Sequence, residues 1–501
     1  MIKTIDINDE SEYQEITHDK SSRYRIRVIF LLTLVLGLLQ GCFSIGPKVG
    51  PDYSPPELKM QDAWHQTIIK GLAEGEANLQ TWWNVFDDPV LNGLIERSGK
   101  GNLELKVAFA RIKEARAQRG IAVGERFPDL EGTGDYRKIH SPHTFRPPTT
   151  QKSRTDDFFR FGGESSWEID CWGRIDRTVE STDASLEASI EDYRDVLVML
   201  YAEVATNYVE VRTLQDRIKY VRGNIETQRK SLQLSKDRFD AGLAADLDVQ
   251  QADLNLSKTE SMLPVLQMQL VKTVNRLGVL LGEHPSALHD ELEEPASIPE
   301  PLEQISIGLP VELLRQRPDI RQAERELAAQ TALIGVATAD LYPTFSLLGT
   351  FGVAANDFSD AISFSKSRMY IFGPQFNWNI FSGGRVRSRI RVEDARTEQA
   401  LERYEQTVLN ALEDVENAMV SYIQEGIRWK KLERSAKAAR KSVELVKTLY
   451  KNGLTDFLNV QQMEQFKFEQ EDQFADSEGK VIQNLISIYR SLGGGWAPES
   501  S

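Results

Sequence analysis

One stretch of this chain occurs twice, and it limits the fold more than any other feature. Shifted by 211 positions, Arg174 to Gly282 falls on Arg385 to Gly493 without a gap. Arg229-Lys230-Ser231 lands on Arg440-Lys441-Ser442, Gly242-Leu243 on Gly453-Leu454, Val249-Gln250-Gln251 on Val460-Gln461-Gln462, and Leu281-Gly282 on Leu492-Gly493. Each copy carries apolar residues in steps of seven. They are Ile190, Leu197, Val204, Val211, Ile218, Ile225, Leu232 and Phe239 in the first, and Leu401, Val408, Val415, Tyr422, Trp429, Ala436, Val443 and Tyr450 in the second. Such a line requires a helix of at least about 50 residues, roughly 75 Å long, and it stays buried only if the helices supercoil. Each copy then breaks at a glycine (Ala241-Gly242, Asn452-Gly453), which suits a helix C-terminus. A shorter helix returns, in the first copy on Val249, Leu256, Leu263, Leu270 and Leu277, with a kink expected at Pro264. The unit is a very long helical hairpin, present in duplicate.

A duplicated coiled coil makes the 501 residues one long unit rather than several globular domains. The mean hydropathy of −0.39 excludes a helical-bundle membrane protein. A net charge of −15 argues against nucleic acid as the main partner. The six histidines, of which His140 and His143 come nearest together, show no metal-binding spacing.

Residues 1–22 are polar and mixed in charge. Arg23, Arg25 and Arg27 then precede an apolar run, Val28 to Leu39, and the run leads to Gly41-Cys42. Twelve apolar residues are too few to cross a bilayer, which takes about 20, but they suit the core of a signal peptide. Ending in Gly-Cys, the segment resembles a bacterial lipoprotein signal, in which Cys42 becomes the acylated first residue. The alternative is an ordinary signal peptide with an incidental cysteine.

Helices are expected at 87–100 and 103–126, and a match to the second at 319–340. These align at a shift of 215, set by Phe127-Pro128 against Tyr342-Pro343. Between the prolines and the junctions Gly173-Arg174 and Gly384-Arg385 the pattern changes to period two. Phe372, Pro374, Phe376, Trp378 and Ile380 alternate with Gly373, Gln375, Asn377 and Asn379. Trp167, Ile169 and Cys171 alternate with Ser166, Glu168 and Asp170, which places Cys171 on an apolar strand face as a free thiol. Thr344 to Phe351 alternates as well, and Leu130 to Lys138 does so weakly. Each half therefore carries two strands. Aromatic residues on one face and amides or acids on the other suit a barrel with lipid outside and water inside. The alternative is a soluble hairpin packed on the helices. Four open strands leave two edges, which a membrane does not tolerate, so if the strands span one, several chains must share a barrel, and three would give twelve strands.

The segmentation that follows is 1–41, N-terminal extension and signal; 42–86, extended leader; 87–282, first repeat; 283–310, proline-rich equatorial linker; 311–493, second repeat; and 494–501, tail. The fold class is mainly α with a small β part. Duplicated coiled-coil hairpins would form a trimeric α-barrel, and four strands per chain would enter a shared twelve-stranded transmembrane β-barrel.

In this order the motifs resemble the TolC-like outer-membrane factors, in the lipoprotein branch that serves resistance-nodulation-division efflux pumps. The resemblance is carried by Gly41-Cys42 with Val49-Gly50-Pro51-Asp52-Tyr53, by Trp167-Glu168-Ile169-Asp170 through Gly173-Arg174, and by Arg317-Pro318-Asp319-Ile320-Arg321. Phe381-Ser382-Gly383-Gly384-Arg385 and the two glycine turns complete it. It covers Cys42 to Gly493. It implies a homotrimeric duct in the bacterial outer membrane, lipid-anchored, with a long periplasmic extension. The tips Phe239 to Val249 and Tyr450 to Val460, centred on Gly242, Leu243, Gly453 and Leu454, would dock onto a periplasmic adaptor and an inner-membrane transporter of that pump class. In this family an aspartate ring commonly narrows the periplasmic end just after the second glycine turn. Here the corresponding residues are the neutral Asn459 and Gln462, with Asp456 and Glu464 nearby. Two readings stand, a ring closed by amide hydrogen bonds and residues merely solvated at the tip.

No Ser-His-Asp, His-Cys or HExxH arrangement occurs, so neither an enzyme nor a cofactor is expected. The expected function is passive export of small molecules such as drugs. The alternatives are a duct for type I protein secretion or metal-ion efflux, or a lipid-anchored coiled-coil scaffold without a pore.

Overall fold

The computed structural model describes residues 47–57, 64, 72–74, 79–141, 154–299, 305–307 and 316–496. The signal region and Cys42 lie outside the described residues.

The elements follow the duplication. A short strand β1 (Leu72–Glu74) and a 3-10 turn (Trp82–Phe86) precede α1 (Pro89–Gly101), α2 (Leu103–Gly124), β2 (Asp129–Ser141) and β3 (Arg154–Ile169). The first hairpin is α3 (Arg174–Asp240) with α4 (Asp246–Glu260) and α5 (Met262–Leu280). After β4 (Ile305–Ile307) come α6 (Pro318–Ala339), β5 (Thr344–Ala355), the one-turn helices α7 (Phe358–Ala361) and α8 (Phe364–Ser367), and β6 (Arg368–Asn377). The second hairpin is α9 (Arg385–Lys451) with α10 (Phe457–Ser491). α3 and α9 are each 67 residues long and begin and end 211 positions apart. The return helix is broken in the first copy only. Pro264 has no amide hydrogen, and its ring would clash with the carbonyl of Glu260, where α4 stops.

Both long helices stop by the same device. Gly242 (φ +70°) donates to the Phe239 carbonyl and Leu243 to that of Arg238, while Gly453 (φ +72°) and Leu454 repeat the pattern on Tyr450 and Leu449. This is a Schellman ending, and its left-handed position is open to glycine at little steric cost.

The heptad lines are buried as their spacing requires. Val204, Val211, Ile218, Ile225 and Leu232 are buried in α3, as are Val408, Val415, Tyr422, Ala436, Val443 and Tyr450 in α9. Phe239, one residue from the end of α3, departs from the line at 43% exposed, whereas its counterpart Tyr450 at the end of α9 is buried.

The chain divides into two compact units, and each takes pieces from both repeats. One comprises the leader up to Tyr53, Gly120–Ser181 and Thr331–Ala395. It holds an antiparallel sheet in the order β2-β3-β5-β6. The strands are longer than their alternation alone marks out. Two details differ from the sequence expectation. β3 ends at Ile169, where Cys171 N–H turns back to the Ile169 carbonyl and Asp170 accepts from the Asp176 N–H, so Cys171 lies past the strand as a half-buried free thiol. β6 ends at Asn377, and Trp378 and Ile380 sit in the turn that follows.

The other unit comprises Ser54–Arg119, Thr182–Gln330 and Arg396–Ser501. Its main core packs Trp82, Leu91 and Leu94 with Tyr208, Leu277, Leu485 and Tyr489, and Trp82 stacks on Tyr489 at 5.4 Å. A second core fills the space between the hairpins with Leu214, Val221, Leu256, Phe457 and Val460.

Candidate functional site: helix tips, hairpin seam and strand faces

At the tips, Leu243 and Leu454 project from their turns at 66% and 73% exposure. The two turns are held together from inside. The Arg238 guanidinium donates to the carbonyls of Tyr450 (2.9 Å) and Lys451 (3.2 Å) and lies over the Tyr450 ring, which also meets Phe457 at 5.4 Å and donates its hydroxyl to Asp248. Asp456 stands at the N-cap position of α10 without accepting a cap hydrogen bond and is exposed. Asn459 donates to the Thr455 hydroxyl at 2.8 Å and, like Gln462, is exposed. Phe457, Val460 and Glu464 are turned inward, so Asn459 and Gln462 occupy the opposite stripe of the helix. All three residues expected at an aperture therefore lie on one solvent-facing stretch, together with the half-exposed Phe466.

Glu464, which the sequence reading noted only as a neighbour, is the buried member of this region, at 2% exposed. It pairs with Lys447 of its own hairpin at 2.7 Å and accepts from Ser231 and Asn255 of the other. One heptad along, Glu471 repeats the arrangement with Arg440 (2.6 Å) and Asn224 (2.9 Å). Each partner has moved by seven as well, Lys447 to Arg440 and Ser231 to Asn224. The seam between the hairpins is thus polar at regular steps, and Arg217 extends it to Asp472 at 2.8 Å. The seven-residue spacing of Glu464 and Glu471 was the available signal.

In the same unit, near the start of α6, Arg317 donates to Asp319 (2.7 Å) and to the Ser491 carbonyl (2.8 Å). Asp195 of α3 lies beside this group. Burial, reinforced by Asp319 and Asp192 and opposed by Arg317, pushes its carboxyl up to about 6.

In the sheet unit, the register separates two faces. One presents Tyr136, Phe161, Phe345, Leu347, Phe351, Tyr370, Phe372 and Phe376, all exposed, the last three at about two-thirds. The opposite face carries Glu131, Asp135, Arg160, Glu164, Thr350 and Gln375 among the apolar Ile139, Leu348 and Ile371, with Arg160 paired to Glu164 and Asp135. At the roots of the strands, indole nitrogens donate to backbone carbonyls: Trp167 to Arg126, Trp172 to Pro343 and Trp378 to Leu341. Trp172 also stacks on Tyr342 at 4.6 Å. The leader is locked here. Arg177, 1% exposed, donates to the Val49 and Gly50 carbonyls and to Asp52 at 2.7 Å.

A four-stranded sheet with one aromatic face and charged and amide side chains on the other, in a chain otherwise built of duplicated coiled-coil hairpins, is the build of the outer membrane efflux proteins, and the chain belongs to that family. The family's model matches residues 94–283 and 309–494. Among solved structures, the outer-membrane channel OprN is similar at a TM-score of 0.84 and 39% identity, over 90% of this chain and 100% of that one. The pyoverdine export outer membrane protein OpmQ of Pseudomonas aeruginosa is 30% identical, over 92% of this chain and 97% of its own length. The solvent efflux pump outer membrane protein SrpC of Pseudomonas putida is 27% identical over the same shares.

Proposed function

We propose that three copies of this chain form a passive duct, anchored in the outer membrane, that carries small molecules delivered by an inner-membrane pump. The observation that carries this reading is the sheet. Its four strands have an aromatic face suited to lipid, a charged and amide face suited to water, and two unpaired edges. Backbone groups exposed at an edge are not tolerated in hydrocarbon, so the edges must meet other copies. The indoles at the strand roots suit a membrane–water interface. In this reading Cys42 carries the lipid, and the Arg177 lock holds the leader at the foot of the strands. The tips at Gly242, Leu243, Gly453 and Leu454 dock onto a periplasmic adaptor, their exposed leucines fitting apolar contact. Asn459 and Gln462, with Asp456 at the head of the same helix, face the bore as its narrowest ring.

Relatives named for solvent efflux and for pyoverdine export differ in cargo while sharing the build, which fits a wide bore without a shaped pocket. Small-molecule efflux therefore leads the reading, with protein secretion or metal-ion efflux second.

The test is conductance in planar bilayers. The purified chain opens a pore, and Asn459→Ala with Gln462→Ala raises its conductance severalfold. A pore whose conductance the double variant leaves unchanged removes the ring from these residues, and absence of any pore removes the duct.

A further inference from the structure

We propose that the two free edges, β6 of one copy and β2 of the next, join in a single register, with Phe376 opposite the next copy's Gly132, Pro374 opposite its Gly134 and Phe372 opposite its Tyr136. The proposal rests on the shared-barrel reading and names how that barrel closes.

The internal seams supply the rule. On the aromatic face, each of the three seams sets one glycine directly opposite one phenylalanine: Gly134 and Phe161, Gly163 and Phe351, Gly349 and Phe372. In each pair the ring lies over the glycine, within 3.1, 2.7 and 3.0 Å of where a Cβ would stand. A strand glycine offers no side chain to pack, and an aromatic ring laid across it from the neighbouring strand recovers that contact. Gly132 lies on the same face, on a free edge, with nothing within 4 Å of its Cβ position. Phe376 lies on the same face of the other free edge, 68% exposed. The fourth seam lacks only this pair.

The polar face agrees. The Thr133 hydroxyl is buried without a hydrogen-bond partner among the described residues, and this register puts Gln375 across from it. Glu131 then meets Asn377, and Ile139 meets Met369. All ten residues of β6, Arg368–Asn377, find partners inside β2.

Barrel geometry narrows the choice. Followed straight across the internal seams, Tyr136 pairs with Phe159 and Phe159 with Ala355, and the β5–β6 register carried on reaches position 366. Joining Tyr136 to Phe372 instead displaces the ladder by six residues per chain. Over three chains, with about 3.3 Å per residue and about 4.8 Å between strands, that displacement tilts the strands by about 45°. Sliding two residues one way gives about 54°, beyond the roughly 35–45° of such barrels. Sliding two the other way gives about 35°, but it sets Phe372 on Gly134, which Phe161 already covers, and leaves Gly132 facing Pro374. The glycines decide between the two.

Disulfide scanning of the full chain in its own membrane tests this, with Cys171→Ser and Cys42 retained. Directly opposed strand positions lie within disulfide reach, whereas diagonal ones, about 7–8 Å apart, do not. Thr133→Cys with Gln375→Cys gives a covalent trimer on non-reducing gels, at least about fivefold more than Thr133→Cys with Gly373→Cys or with Asn377→Cys. A maximum at Gly373 or Asn377 overturns the register while leaving the shared barrel standing. The light-scattering mass of the uncrosslinked particle tests the barrel itself, and a folded monomer overturns both. Where the cysteine variants do not reach the membrane, Gly132→Phe and Phe376→Gly each lower trimer yield and the double swap restores it. Failure of the swap to restore yield overturns the pairing.

Discussion

Asp195 carries a folded-state cost that a single substitution removes. Its carboxyl, raised by burial from 3.8 to about 6, favours the protonated form in the fold. The associated stability is full below about pH 3.8 and is lost as pH rises through about 6. Asp195→Asn should therefore stabilise the fold in detergent at pH 7.5 by up to about 3 kcal/mol, read as a higher thermal midpoint, and change it little at pH 4. An equal effect at both pH values would show that charge is not the cause. Glu464 is buried too, but it is paired with Lys447. Lys447→Met should cost about 3–5 kcal/mol by leaving Glu464 without its ion-pair partner, and Lys447→Met with Glu464→Gln together should cost less than the two single changes summed. A double-mutant cycle on thermal unfolding measures the difference, and additive losses would place the two residues outside a common network. Of this, only the seven-residue spacing of Glu464 and Glu471 stood in the sequence, and it did not decide the matter. Acids and bases at heptad steps read equally well as a solvated face until the facing hairpin supplies Ser231, Asn255 and Asn224.

The long helices were legible because one physical requirement, an apolar line at steps of seven, is written along them many times over. Their ends were legible too, since a left-handed position selects glycine at Gly242 and Gly453. Strands are shorter signals, and only the middle of each alternates cleanly. Asp129, Ser141 and Arg154 extend the ladder without matching any alternation, and the alternation of Trp378 and Ile380 outran the strand that carries it. The two faces still make a sharp prediction. Phe372→Arg on the aromatic face should cost roughly 2–4 kcal/mol per chain and reduce trimer yield, while Gln375→Arg on the opposite face should leave yield unchanged. Trimer recovery after detergent extraction distinguishes them, and equal losses would mean that the faces are not lipid and water.

At the scale of the whole molecule, the duplication has two phases. The elements from α3 to α5 recur at 211 positions and those from α2 to β2 at 215. The four-residue difference is absorbed within the strand segments, so the hairpins keep their phase. The aromatic and polar strand faces follow from the pattern, but no pattern in a single chain shows how its strands are registered with one another. That information lies in cross-strand pairs such as Gly163 with Phe351, which are distant in sequence. Light scattering of the extracted protein should give three chains per particle, and a folded monomer would leave two strand edges without a partner.

The matched lengths of α3 and α9 carry a consequence for how such a protein can change in evolution. Both helices close with the same glycine turn, and both present a seam that repeats every seven residues. An insertion of one or two residues in either would rotate every side chain beyond it off the seam. Whole heptads, made in both repeats and in the returning helices together, are the insertions that keep the seam in phase without local over- or unwinding. Each such step lengthens the hairpins by about 10 Å. The length of the hairpins is therefore adjusted most readily in increments of that size.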